Sequence, residues 1–455
     1  MADTLREPVA VDTTAGHLKR ELGLRDLVLF NVAAVLSMRW IGAAAHAGSG
    51  SLFLWGAAAI LFQVPIAFTA ANLARRFPQE GGLYIWTREA FGPGHAFACG
   101  WFYYVSNVFW IPGLVMASIG IVAYSFSSRL VPYAEDARFL LPASLLLLGV
   151  ITFTNYIGLR VAKWVDNLGG IAAYIIFGVL VLSGIVFLSL GHKPASHFDL
   201  LPSLDWNKLN FWSQLAFGMT GLELSPIMGG EIRDPRRTMF RATWISAFLV
   251  MLFYMVGTAA ILVLMTPEST SPVVGLAQAG RVAAATIGWQ WIPLVIACSV
   301  LLSVGGQLGT YVGAAARLPF VLGIENLLPA SFAKLHPKYA TPYVSIFVLC
   351  GGAAMLLIIS QLGETFRAAY QVLVDMSVIT LFIPFLYMFA SAWKFGLRLP
   401  GASGLFVSAV AILFSFIPTE DVKDVWLFET KLIGGVIVLS AWAALLYRRY
   451  SRKSP

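Results

Sequence analysis

Charged residues are scarce in this chain, since only 12% of its 455 residues are Asp, Glu, Lys or Arg. Soluble domains carry about 25%, and the mean hydropathy of +0.77 is likewise typical of a membrane protein. The three cysteines, Cys99, Cys298 and Cys350, are too few and too far apart for a disulfide framework or a metal site. The six histidines show no paired ligand spacing, so we expect neither a metal nor another cofactor.

Sequence signatures of catalysis are also missing. No segment matches G-x-x-x-x-G-K-[ST], the phosphate-binding loop, so we expect no direct use of ATP by this chain. No constellation of His and Cys supports an enzyme that acts within the membrane. The sequence therefore predicts a protein that is not an enzyme.

The chain consists mostly of apolar runs. A helix needs about 20 apolar residues to cross a hydrocarbon layer of roughly 30 Å. We predict an all-α polytopic membrane protein with twelve transmembrane helices, at about 24–47, 50–74, 97–126, 138–157, 165–190, 209–229, 241–266, 289–317, 342–361, 369–393, 400–418 and 430–447. The expected organisation is a cytoplasmic tail at 1–23, one transmembrane domain at 24–447 and a cytoplasmic basic tail at 448–455.

The basic residues indicate how these spans are oriented, because Lys and Arg concentrate in cytoplasmic loops. With the N-terminus in the cytoplasm, 22 of the 31 Lys and Arg residues fall inside, eight fall outside, and Arg39 falls within a span. We therefore expect a multi-pass protein of the cell membrane with both termini in the cytoplasm. The net charge of +8 is then explained by the orientation of the spans in the membrane, and we expect no nucleic-acid partner.

Three charged residues, Arg39, Glu223 and Asp375, fall inside predicted spans. Each costs about 2.5–3.5 kcal/mol at the bilayer centre on insertion scales, so such residues face a cavity or a partner. Glu223 lies between Gly221 and Pro226, and interrupted helices are tolerated at membrane depth where they line a cavity. The pattern predicts a binding site inside the membrane, with Glu223 acting in substrate binding and in coupling.

Three loops carry recognisable motifs. The segment 77–93 reads FPQEGGLYIWTREAFGP, 229–237 reads GGEIRDPRR, and 317–329 reads RLPFVLGIENLLP. In this order and at these span boundaries, they resemble the P-x-x-GG-x-Y-x-W/Y…FG-P, GE-I-x-D-P-x-R and R-L-x-(F/Y)…G-L-L-P loops of the amino acid–polyamine–organocation (APC) superfamily. The chain is similar to the amino acid permease type of that superfamily over nearly its whole length.

The resemblance implies a fold of two inverted repeats of five spans, with two further helices appended and with spans 1 and 6 broken at the midplane. Such a fold carries out secondary transport by alternating access. Exposed N–H groups at one break suit a substrate carboxylate, and carbonyls at the other suit an ammonium. The span 6 residues that match the family, and that we expect to bind substrate, are Phe217, Gly218, Thr220, Gly221 and Glu223.

Span 1 departs from the family pattern. Members of the family usually carry a small-residue run such as G-S-G at the break, whereas this chain has Arg39 there; the expected substrate-binding residues of this span are Ser37, Met38, Arg39, Trp40 and Gly42. In one interpretation the guanidinium clamps a substrate carboxylate in a bidentate manner. In the other it forms a structural ion pair with Glu223 or Asp375.

Spans 3, 8 and 10 contribute further candidates. Tyr103 and Asn107 share one helical face of span 3 and could contact a polar ligand, although such an aromatic stripe also suits packing. Tyr311 lies near the position of a gating aromatic in the family. Span 5 lacks the lysine that some proton-coupled members carry, so Asp375 is a candidate for proton coupling, with a hydrogen-bonded core carboxyl as the alternative.

These features predict a secondary transporter for an amino acid or a related amine, either proton-coupled or exchanging. An amino acid is favoured over a polyamine, because a polycation would meet Arg39. The alternatives are a polyamine transporter of the same fold and a transport-like nutrient sensor that binds without translocating. The expected partners are a small-molecule substrate, the lipid bilayer and, for coupling, protons; the sequence leaves the oligomeric state open.

Overall fold

The structure is a computed structural model that describes residues 22–77, 81–199, 201, 206–226, 232–360, 366–419 and 422–451. Within these ranges it describes only the backbone of 159–163, 166, 206–208, 235–236, 324 and 366. Most of the two predicted tails lies outside the described residues, as do the motif positions 78–80 and 229–231. The regular elements in the described ranges are helices, and a single β-bridge joins Leu22 to Ile232.

The α-helices have the following bounds: α1 Leu24–Val35, α2 Met38–Ala47, α3 Gly50–Ala58, α4 Val64–Arg76, α5 Leu83–Phe91, α6 Pro93–Phe126, α7 Ala137–Ile157, α8 Leu159–Ser189, α9 Trp206–Gly218, α10 Pro235–Leu264, α11 Gly275–Ile287, α12 Ile292–Ala315, α13 Arg317–Ile324, α14 Tyr343–Ser360, α15 Phe366–Lys394, α16 Arg398–Phe414 and α17 Val425–Ser451. A π-helical turn, Ala59–Gln63, joins α3 to α4, and short 3₁₀ turns lie at Ser128–Tyr133, Pro267–Ser269 and Ala330–Ala333. The predicted all-helical class is thus confirmed.

The predicted count of twelve spans is not confirmed. Among the described residues, nine helices are long and apolar enough to cross a membrane, and the pair α1 and α2, bent by 45°, makes ten. The predicted sixth and eleventh spans contain shorter helices, because α9 ends after 13 residues at Gly218 and α16 has 17 residues. The predicted break in span 1 is present. In the sixth span, helix α9 ends at Gly218, where a break was expected.

Three helices, α5, α11 and α13, lie where the sequence predicted none, apart from the first residue of α13. Helix α5 follows a tight turn at Gly81 and Gly82, both of which have positive φ; it ends at Phe91, and Gly92 separates it from Pro93, which begins α6. Proline suits the first position of a helix because its missing N–H has no partner there anyway. Helix α11 buries one face and packs against α2.

The long helices α6 and α15 form the centre of the molecule. Within their most apolar windows, 83% and 78% of the residues are buried, compared with 11% for α17. The outer helices expose large apolar side chains such as Leu146, Phe153 and Trp426. Exposed apolar surface of this extent suits contact with lipid.

Helices α8 and α12 pack against each other at backbone distance. A Cβ at Gly169 would lie 2.7 Å from the Cα of Gly306 and 2.9 Å from the carbonyl oxygen of Leu302. Small residues allow membrane helices to approach at backbone distance. This contact positions α12, which carries Gln307 and Tyr311 toward the broken spans.

We predict that Gly169→Ala destabilises the protein by about 1–3 kcal/mol, because the new methyl group must push two backbones apart. The matched control is Gly178→Ala in the same helix, where nothing lies within 4 Å of the added Cβ. Thermal unfolding of the detergent-solubilised variants measures the difference. Equal melting temperatures for the two variants would contradict this packing.

Candidate functional site

The break in span 1 is held open by side chains from two other spans. Leu36 and Ser37 have extended backbone between α1 and α2. Two carbonyls at the end of α1 accept side-chain hydrogen bonds: that of Ala34 from Gln307 Nε2 at 2.8 Å, and that of Val35 from the Tyr254 hydroxyl at 2.8 Å. The same hydroxyl accepts the Ser37 N–H at 3.0 Å. One tyrosine therefore satisfies both sides of the break.

Tyr254 is itself fixed by stacking. Its ring lies parallel to that of Trp55, with centroids 4.3 Å apart. The indole Nε1 of Trp55 donates to Thr258 Oγ1 at 3.2 Å, one helical turn beyond Tyr254. Span 2 and span 7 thus orient the hydroxyl that holds the break of span 1.

The break in span 6 is closed by Glu223. Helix α9 ends at Gly218, and Gly221 follows with φ +121°. The Glu223 side chain is fully buried; its Oε2 accepts the Gly221 N–H at 2.7 Å, and its Oε1 accepts the Tyr103 hydroxyl at 3.1 Å. The carboxylate therefore caps its own irregular segment and joins it to span 3.

The two breaks meet at Gly221. A Cβ there would lie 3.0 Å from the Tyr311 hydroxyl oxygen, 3.0 Å from Val35 Cγ2 and 3.3 Å from the carbonyl carbon of Ala34. Its positive φ favours glycine as well. Spans 1, 6 and 8 can approach this closely only because position 221 has no side chain.

Arg39 lies in the first turn of α2 and is 3% exposed. Its Nη1 donates to the Tyr370 hydroxyl at 3.3 Å, its guanidinium carbon lies 4.3 Å from the Trp40 ring centroid, and its Nε has no hydrogen-bond partner. Neither of the two carboxylates proposed as its partner, both of which are described, lies within 4.0 Å of the guanidinium. The ion-pair interpretation therefore has no support in this structure.

Aromatic rings surround the two breaks. Trp40 and Phe217 meet edge to face with centroids 6.1 Å apart, and Trp110 lies 4.2 Å from Tyr311. Gly218 packs against Trp40, since a Cβ at position 218 would lie 3.2 Å from Trp40 Cδ1. The rings come from spans 1, 3, 6 and 8, so an amphipathic ligand would meet apolar surface beside Arg39 and Glu223.

The expected face of span 3 is directed to this region. Tyr103 contacts Glu223, and Trp110, seven residues on, contacts Tyr311. Asn107 lies between them and is 2% exposed; its Nδ2 donates to the Tyr103 carbonyl at 2.8 Å. The remaining expected residues at the breaks, Ser37, Met38 and Thr220, are also buried.

Two expected site residues lie elsewhere. Gly42 lies where α2 crosses α11: a Cβ at this position would be 3.2 Å from the backbone nitrogen of Leu276. Asp375 belongs to a separate buried cluster, in which its Oδ1 accepts from Asn210 at 3.1 Å and its Oδ2 from Gln371 at 2.8 Å. This cluster joins the first half of span 6 to span 10.

Sequence reasoning missed Tyr254, Gln307 and Tyr370. Gln307 had a visible signal, since an amide in an apolar span requires a partner. Tyr254 and Tyr370 had no such signal, because tyrosine is common in apolar spans and at their ends. Their roles depend on contacts more than 200 residues away in sequence.

Polar contacts also join the loops at both ends of the bundle. On the side of α5, Arg88 Nη1 lies 2.6 Å from Glu325 Oε1, and the Tyr84 hydroxyl donates to the same carboxylate. Burial, and then the Glu325 carboxylate, raise the pKa of Tyr84, so the phenol stays protonated and can donate. On the side of α11, Arg367 Nε lies 3.1 Å from Glu135 Oε2.

Within the described ranges, no group of three or more His, Cys, Asp or Glu side chains could hold a metal ion. What the geometry offers instead is a buried guanidinium, a buried carboxylate and aromatic surface around two interrupted helices. Such a set can bind and orient a small charged molecule, and it contains no nucleophile paired with a base.

The chain is similar in sequence to several known proteins. The uncharacterised transporter lpg1691 of Legionella pneumophila is 29% identical over 447 residues, which cover 93% of this chain and 95% of the relative. The branched-chain amino acid permease BcaP of Bacillus subtilis is 23% identical over 79% of each chain. The "Probable agmatine/putrescine antiporter AguD" of Lactococcus lactis is 24% identical over 64% of this chain and 61% of the relative.

The fold is also found in a solved structure. The crystal structure of MhsT in complex with L-phenylalanine matches with a TM-score of 0.61 at 14% identity, and it covers 88% of this chain and 99% of that one. The sequence model of the amino acid permease family matches residues 22–438, which include both broken spans. The chain is thus a membrane transporter rather than an enzyme, and it belongs to the amino acid permease family.

Proposed function

We propose that this protein is a secondary transporter of an amino acid, which works by alternating access around the crossing of spans 1 and 6. The observation that carries the proposal is the buried Arg39 guanidinium, which among the described residues has only neutral partners beside two interrupted helices. A buried cation without a counter-ion costs several kcal/mol. A substrate carboxylate would remove that cost on binding.

The same observation bears on the rival substrate class. A polyamine would fit if Glu223 and Asp375 neutralised Arg39, but neither is within ion-pair distance. A dication would therefore meet an Arg39 guanidinium that neither carboxylate pairs with directly. This electrostatic argument supports an amino acid, while the relative named as an agmatine/putrescine antiporter keeps a polyamine as the second candidate.

Alternating access requires that each end of the bundle open in turn. The Arg88–Glu325 contact joins α5 to the residue after α13, and the Arg367–Glu135 contact joins the start of α15 to the loop before α7. With both termini in the cytoplasm, the first would close the inner side and the second the outer side. Arg39 and Glu223 are buried while both contacts are formed.

The central experiment measures flux. The purified protein in proteoliposomes is offered labelled amino acids and labelled putrescine separately, after a thermal-shift screen has ranked them. We expect accumulation of an amino acid and none of putrescine. Binding without flux would identify a sensor, and uptake of putrescine alone would identify the polyamine transporter.

Arg39→Lys should lower substrate affinity by roughly tenfold or more, because lysine keeps the charge but loses the planar fork that binds a carboxylate bidentately. Equilibrium binding of the amino acid and of its decarboxylated amine tests the role of the carboxylate. The amine should bind the wild type much more weakly. Equal affinity for acid and amine would exclude the clamp.

Glu223→Gln should reduce transport roughly 10- to 100-fold, because hydrogen bonds to a charged group contribute about 1.5–3 kcal/mol. The amide has one acceptor oxygen instead of two, so either the Gly221 N–H or the Tyr103 hydroxyl loses its partner. A monodisperse gel-filtration profile controls for folding. Wild-type rates and pH dependence in this variant would show that Glu223 has no part in transport.

We propose that Asp375 takes part in proton coupling, because its hydrogen-bond partners among the described residues are two neutral amides and it joins the first half of span 6 to span 10. Asp375→Asn should abolish uptake driven by an imposed pH gradient but spare counterflow exchange, which needs no net proton movement. Gradient-driven uptake that survives in the variant would make Asp375 a structural residue.

A further inference from the structure

Two side chains on the broken spans have polar atoms without hydrogen-bond partners. Asn31, on α1, is fully buried, and neither its Nδ2 nor its Oδ1 has a partner in the described part of the chain. Ser225, beyond the break of span 6, is equally buried, and its Oγ also lacks one. Such groups are rare, since the large majority of buried polar side chains are hydrogen-bonded.

The backbone brings these two residues to the same region. Val35 and Ala34 of span 1 pack against Gly221 of span 6. At the other end of the same two segments, Leu22 pairs with Ile232, and the Arg233 N–H donates to the Leu22 carbonyl at 2.9 Å. Span 1 and the chain that follows Gly221 are therefore in contact at both ends of the stretch that holds Asn31 and Ser225.

Asn31 and Ser225 lie between these two contacts. Asn31 is one helical turn from Val35, and residues four apart share a helix face, so it is on the face of α1 that meets span 6. Ser225 is four residues beyond Gly221 and precedes Ile232, which contacts Leu22. Along their own segments, both residues therefore lie between the two contacts, and the break of span 1 separates Asn31 from Arg39.

Several of the unpartnered atoms belong to the two broken spans. Of the fourteen buried side-chain polar atoms without a partner among the described residues, five belong to Asn31, Ser37, Arg39 and Ser225. The Ser37 and Arg39 atoms lie at the proposed central site. The Asn31 atoms lie on the part of span 1 before its break, and the Ser225 atom lies beyond the break of span 6.

We propose that Asn31 and Ser225 form a second substrate subsite, which receives the head group of the amino acid after it leaves Arg39 and before it is released. This proposal rests on the proposed function. The chemistry suits a zwitterion, because an amide donates to a carboxylate through its NH₂ and accepts from an ammonium through its oxygen, while a hydroxyl does both. Neither residue carries a charge that would hold the substrate too tightly to leave.

The experiment separates binding from translocation. Asn31→Leu keeps a similar volume but removes both polar atoms, and Ser225→Ala removes one. The probe is a labelled mixture of the standard amino acids, used for equilibrium binding in detergent and for uptake into proteoliposomes. We expect unchanged affinity in both variants, uptake lowered at least tenfold in Asn31→Leu, and uptake lowered a few-fold in Ser225→Ala.

Ser144→Ala is the matched control, because this buried hydroxyl on α7 is also unpartnered but lies outside the broken spans. It should transport at the wild-type rate. If Asn31→Leu does not fold, Asn31→Ala replaces it with the same expectation. Wild-type uptake by the folded Asn31 variant, or binding lost together with uptake, overturns the subsite while the proposed function stands. If the wild-type protein takes up none of the mixture, the proposed function is wrong, and so is the subsite.

Discussion

The lack of a side chain at position 221 is the constraint on which the centre of this molecule depends. Spans 1 and 8 come so close to Gly221 that a Cβ would meet the Tyr311 hydroxyl and the backbone of Ala34. The same residue has a positive φ, and its N–H is the donor that the Glu223 carboxylate accepts. Glycine provides the turn, the carboxylate caps it, and the close crossing of two interrupted helices follows from both.

Much of this arrangement could be predicted from local sequence. A carboxylate between glycine and proline in an apolar run indicated an interrupted helix, and the loop motifs indicated the family. The contacts of Gln307 and Tyr254 with span 1 could not be predicted, because they join residues 273 and 219 positions apart. The twelve-span count is not confirmed, because hydropathy ignores helix breaks: apolar residues continue past Gly218 although the helix does not.

Arg39 is the main departure from the family pattern, and the structure explains how the membrane tolerates it. The guanidinium lies 4.3 Å from the Trp40 ring centroid and donates to Tyr370. Cation–π contacts of this kind contribute about 0.5–2 kcal/mol, which offsets only part of the cost of burial. Within the described part of the chain, the residue is therefore held in position by neutral groups. A local cost to stability of this kind is typical of functional sites.

The side chains of Tyr254 and Gln307 also determine which groups the carbonyls at the break in span 1 contact. In broken transporter helices, unwound carbonyls commonly coordinate sodium or protons. Here the carbonyls of Ala34 and Val35 already accept hydrogen bonds from the protein itself. The kink in span 1 is thus built into the polypeptide, which supplies hydrogen-bond donors to both carbonyls from its own side chains.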